Sequence, residues 1–97
     1  MLEKKIESAF VRYATSKGCI AYKFTSPNRR SVPDRMVVCP GEVFFIEFKA
    51  TGKKPSPSQT REIKRLRKLG QYVYVCDAIG QAEGLLDLML TTPRKNT

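Results

Sequence analysis

Apolar positions recur along this chain with two different periods. In residues 2–17, Leu2, Ile6, Ala9, Phe10 and Tyr13 fall at i, i+4, i+7, i+8 and i+11, which is one face of a helix. Lys17 in the last turn and Gly18 beyond it supply the stop. Residues 19–24, Cys-Ile-Ala-Tyr-Lys-Phe, read as a strand, and the polar, basic stretch 25–31 follows as a loop. Two apolar runs, 36–39 and 43–48, then flank Pro40-Gly41, the pattern of a β-hairpin. Residues 50–58, with two prolines, form a loop in which Ser56 or Ser58 can cap the next helix. That helix is expected over 57–69, with Ile63, Leu66 and Leu69 inward and Arg61, Lys64, Arg65, Arg67 and Lys68 outward, and Gly70 ends it. A strand over 71–77 and a leucine-rich helix over 79–90 complete the pattern. The strand–helix–strand order across 43–76 predicts parallel pairing with a right-handed crossover. The leucine-rich helix is suited either to covering the core or to a contact between two copies. Residues 91–97 are expected to be a disordered polar tail, leaving a single domain over 1–90.

The hairpin also carries chemistry. Side chains alternate across a strand, so Glu47 and Lys49 share one face while Phe44, Ile46 and Phe48 share the other. Folding back at Pro40-Gly41 sets Asp34 roughly opposite Glu47. Two carboxylates and an ammonium then converge at one sheet end, as in a divalent-metal site for phosphodiester chemistry; the plainer alternative is an ion pair at a strand end. On the first helix Glu3 and Glu7 are four apart and therefore neighbours. As first-turn acids they suit the helix dipole and pairing with Lys4 or Lys5 equally well. The loop before Asp34 brings Lys23, Ser26, Arg29, Arg30 and Arg35 close to it in sequence, and Lys53 and Lys54 follow the hairpin. These are candidate contacts to a nucleic-acid backbone, or simply a solvated basic surface.

Pro33-Asp34, twelve intervening residues and Glu47-Phe48-Lys49 resemble the PD-(D/E)xK nuclease signature. Val-Pro-Asp-Arg, Ile-Glu-Phe-Lys-Ala and Pro55-Ser56-Pro57-Ser58-Gln59 more narrowly resemble the virus-type replication-repair nuclease (VRR-NUC) domain, over about residues 2–77. PD…ExK alone occurs by chance; the ordered set of helix Glu, VPD, ExK and SPxQ is far more specific. The resemblance implies an α/β fold with a restriction-endonuclease-like core, a mixed β-sheet flanked by helices in the order α-β-β-β-α-β. It implies Mg²⁺ or Mn²⁺ held by Asp34, Glu47, the Phe48 backbone carbonyl and either Glu3 or Glu7. Glu3 is the first choice, because its spacing to Ile6 resembles a helix motif of related archaeal junction-resolving nucleases. It gives Lys49 the role of orienting the attacking water and countering developing charge, and it matches Gln59 to a family glutamine. The implied activity is structure-selective cleavage of branched DNA such as Holliday junctions, by a homodimer, in phage or bacterial replication and repair. Ser31 departs from the glycine common at its position.

Composition narrows the alternatives. Lys and Arg number 18 against 9 Asp and Glu, a net charge of +9, which favours a polyanionic partner. There is no histidine, which removes Ser-His-Asp and Cys-His mechanisms. Cys19, Cys39 and Cys76 are far apart and lack zinc-ligand spacing, so a zinc site or a disulfide framework is a poor reading; Cys39 and Cys76 read as reduced core residues. No run is long enough to span a bilayer and no signal-peptide pattern opens the chain, so a soluble protein of the cytoplasm is expected. A DNA-binding module without catalysis would show a broken ligand set, and a nickase of unbranched DNA would need only one site. An RNA-binding protein is weaker, since no aromatic stacking motif appears.

Overall fold

A computed structural model describes residues 1–91. The elements follow in the order α1 (Glu3–Ser16), β1 (Ile20–Lys23), β2 (Arg35–Cys39), β3 (Glu42–Phe48), α2 (Pro57–Lys68), β4 (Val73–Cys76) and α3 (Ile79–Thr91). The four strands form one sheet in the order β1-β2-β3-β4. β1–β2 and β2–β3 are antiparallel and β3–β4 is parallel, so the sheet is mixed as expected. The β2–β3 hairpin turns at Pro40-Gly41, where Gly41 takes φ 80°. Proline fixes the first turn position and glycine supplies the positive φ at the second.

Paired residues of neighbouring strands share a sheet face. One face carries Val37, Phe44, Ile46 and Phe48, all fully buried. α1 and α3 cover it with Ile6, Phe10, Ala14, Ala82, Leu86 and Met89. The Phe10 and Phe48 rings meet there with centroids 5.5 Å apart. On the other face α2 packs beside β4 through Ile63. Ile20, Tyr22 and Val43, which share that second face, are exposed.

Two apolar positions differ from the pattern. Leu2 is 67% exposed and Leu69 is 70% exposed. Leu2 is the N-cap of α1 and has extended backbone, so helical periodicity does not reach it. Leu69 caps the C-terminus of α2. Each three-residue step falls about 60° short of a full turn, so Leu69 lies about 120° round the helix from Ile63. Glu62, two turns earlier on that same side, is buried at 7% exposed, so the exposure of Leu69 comes from its place at the helix end. The cysteines are free and buried, with Cys19 and Cys39 side by side. Of the expected tail, Thr91 is the last residue of α3 and the remainder lies outside the described residues. No helix among the described residues is long and apolar enough to cross a membrane.

Candidate active site

The hairpin register pairs Arg35 with Ile46, so the next step outward sets Asp34 against Glu47. A hydrogen bond fixes the approach: the Phe48 N–H donates to Asp34 Oδ2 at 2.8 Å. Residues directly opposite in antiparallel strands have Cβ atoms roughly 5 Å apart. The register therefore brings the two carboxylates to the same end of the sheet.

Glu47 is 2% exposed, although its face of the sheet is the more open one. Three neighbours account for its position. Gln59 Nε2 donates to Glu47 Oε2 at 2.7 Å, and Lys49 Nζ lies 3.5 Å from the same oxygen. Across the hairpin stands Asp34. Burial, then the Asp34 charge, pushes the Glu47 carboxyl up to about 7, against the pull of Lys49. Burial also raises Asp34, opposed by its hydrogen bond from Phe48. Two carboxyls, both raised by burial and by neighbouring acids, form a site short of positive charge. Their donors are all hard oxygens, the set that Mg²⁺ or Mn²⁺ prefers, so the residues present fit such an ion.

α2 reaches the site through its N-terminus. Ser56 is the cap: its Oγ accepts from Gln59 N–H, while Gln59 Oε1 accepts from Ser56 N–H. The amide nitrogen of the same Gln59 side chain is left for Glu47. The family-matched glutamine thus joins a helix cap to a buried carboxylate.

The other expected residues are distributed as follows. Glu7 is 9% exposed, with Arg35 Nε at 2.7 Å and Lys23 Nζ at 3.6 Å from its Oε2. Lys23 and Arg35 lie on the α1 side of the sheet, opposite to Glu47, which is why they meet Glu7. Arg35 also donates to the Ala21 carbonyl, so its guanidinium is committed within the fold. Glu3 is close enough for its charge to act on Glu47, as that of Glu7 acts on Asp34. Neither joins Asp34 and Glu47 in a group of three metal-ligating side chains among the described residues. Arg29 pairs with Glu62 at 3.5 Å, and Arg30, Lys53 and Lys54 are exposed; Ser26 is half-buried in the loop. Arg67, an outward charge of α2, is bound to the Val73 carbonyl by Nε at 2.9 Å and Nη2 at 2.6 Å. Sequence periodicity did not single out Glu62; an acid among five basic residues of one helix was the available signal.

No protein-family model matches the chain. A curated protein, "Putative nuclease p44" of Acyrthosiphon pisum secondary endosymbiont phage 1, is 51% identical over 77 residues, covering 78% of this chain and 83% of that protein. A solved structure described as a VRR_NUC domain superposes with a TM-score of 0.80 at 29% identity, covering 88% of this chain and 94% of that one.

Proposed function

The chain belongs to the VRR-NUC nuclease family, and from that premise we propose that it is a divalent-metal-dependent DNA endonuclease acting in the cytoplasm of a bacterial host. The observation that carries the reading is Asp34 set opposite Glu47 and held there by the Phe48 N–H, with Lys49 beside Glu47.

Asp34 and Glu47 would hold the ion, with the Phe48 carbonyl as the third protein ligand, and Glu3 or Glu7 would act through water. When bound, Mg²⁺ or Mn²⁺ supplies Lewis-acid charge at the scissile phosphate and lowers the pKa of a water. Gln59 and Lys49 both meet Glu47 Oε2, so the carboxylate is held in one orientation toward the site. The Lys49 ammonium, paired with Glu47 at the edge of the site, would orient the attacking water and face the charge developing on the phosphate. Lys53, Lys54, Arg30 and the loop carrying Ser26 lie outside this centre and suit backbone contact.

Branched DNA is the proposed substrate. Paired cuts across a two-fold symmetric junction need two active sites, and each chain supplies one, so a homodimer is the acting form on a Holliday junction. The deciding experiment incubates labelled four-way junction, flap and duplex with Mg²⁺, Mn²⁺ or EDTA. Metal-dependent cutting of the junction in preference to duplex is expected. Cleavage that persists in EDTA, or binding without cleavage in either metal, would overturn the metal-dependent hydrolytic reading.

A further inference from the structure

We propose that α2 and the loop joining β1 to β2 form a second phosphate-binding site, a four-arginine groove that holds a backbone phosphate of the nucleic acid beside the scissile one. The identity of the anion rests on the nuclease reading; the groove itself rests on geometry.

Successive helix residues turn by about 100°, so α2 presents two stripes. Gln59, Ile63 and Leu66 form the stripe that meets the sheet. Ser58, Arg61, Glu62 and Arg65 form another, about a third of a turn away, and it faces the loop. The groove between helix and loop has a volume of about 470 Å³, with Arg29 and Arg30 on one wall and Arg61 and Arg65 on the other. Four arginines and one acid, Glu62, therefore line the groove.

Glu62 accounts for the arrangement. Its side chain is 8% exposed, and its Oε1 lies 3.5 Å from Arg29 Nη1 and 3.6 Å from Arg65 Nε. One buried carboxylate thus holds an arginine from each wall. Their side chains remain about half exposed, so donors are left over for a ligand. A guanidinium presents a planar fork that matches phosphate oxygens, and prior orientation reduces the entropy lost on binding. Glu62 is a positioning residue in this scheme.

The groove is also tied to the catalytic centre. The Ser31 and Ser58 hydroxyls are 2.5 Å apart and share a hydrogen bond between loop and helix. The loop then runs into Asp34, and the helix starts at the Ser56–Gln59 cap that restrains Glu47. Both walls are thus short continuations of segments that carry the catalytic centre. A strand that puts one phosphate against Asp34 and Glu47 passes between these walls.

The test measures DNA binding in EDTA across a salt series, with the Arg61→Ala/Arg65→Ala variant against an Arg12→Ala/Lys17→Ala control that loses the same charge on α1. The groove variant should bind roughly tenfold or more weakly, and its log K against log salt slope should fall by about 1–2 relative to the control. Equal affinities and slopes for the two variants would overturn the proposal. Glu62→Gln should raise KM and leave kcat and thermal unfolding unchanged, with Glu62→Asp recovering part of the loss. A fall in kcat at constant KM would overturn the positioning role. Should the wild type cut nothing while the groove variant still loses affinity, the nuclease reading fails and the groove stands.

Discussion

At Glu47 a carboxylate sits in a nearly dry position within reach of Lys49 and opposite Asp34. Its protonation would link the proposed metal binding to pH. In the metal-free protein its carboxyl is pushed up from 4.5 to about 7, so over that window the folded state binds more protons than the unfolded chain. Stability then falls as pH rises through about 7, and the raised carboxyl of Asp34 acts in the same direction. Deprotonation would also ready the proposed site for a cation, so Mg²⁺ should restore stability most at the alkaline end. Thermal unfolding in EDTA and in Mg²⁺ from pH 5 to pH 8, roughly the span of this titration, checks this. A metal-free protein that gains stability on going from pH 5 to 7 would contradict it. Lys49→Ala should keep DNA binding and lower kcat by about 100-fold or more, the scale of losing a group that faces transition-state charge. Loss of binding with normal folding would contradict the role given to Lys49. Ser31, at φ 64°, takes the left-handed conformation that suits the glycine common at this point of the family. Ser31→Val should cost about 1–2 kcal/mol and Ser31→Gly less, measured by urea unfolding.

Among the elements, α2 links stability to the site. Its capping box shares Gln59 with Glu47, so the cap and the carboxylate are held by one side chain. Ser56→Ala should cost about 1 kcal/mol of stability, the usual worth of such a cap. It should also lower kcat, because Gln59 loses the cap contacts that fix it. Urea unfolding and steady-state cleavage together check this; reduced stability with unchanged kcat would show that Gln59 keeps its place unaided. β3 has a double role. Phe44, Ile46 and Phe48 anchor it in the core, while Glu47 and the backbone of Phe48 serve the site from the same segment. The core stripe and the ExK motif could both be read from alternation alone. Burial of Glu62 and exposure of Leu69 could not, because they depend on where α2 ends and on the loop beside it.

For the whole molecule, a charge of +9 on 97 residues should make association with the proposed DNA substrate steeply salt-dependent. The exposed apolar positions Ile20, Tyr22 and Val43 share the sheet face that also carries Glu47. If the acting form on a junction is a homodimer, light scattering at working concentration should give twice the 11.0 kDa mass of the chain. A monomer would contradict symmetric junction resolution, while leaving simple nicking unaffected.

Local pattern by itself determined the elements, the mixed sheet with its parallel pair, and the meeting of Asp34 with Glu47. These follow from periods of 3.6 and 2, from a two-residue turn and from the strand–helix–strand order. Only the tertiary structure decided what the charged side chains do. It committed Arg35 to Glu7 and Arg67 to the Val73 carbonyl, and it placed Gln59 against Glu47. The reason is physical: a long polar side chain takes its role from partners distant in sequence, and packing chooses those partners.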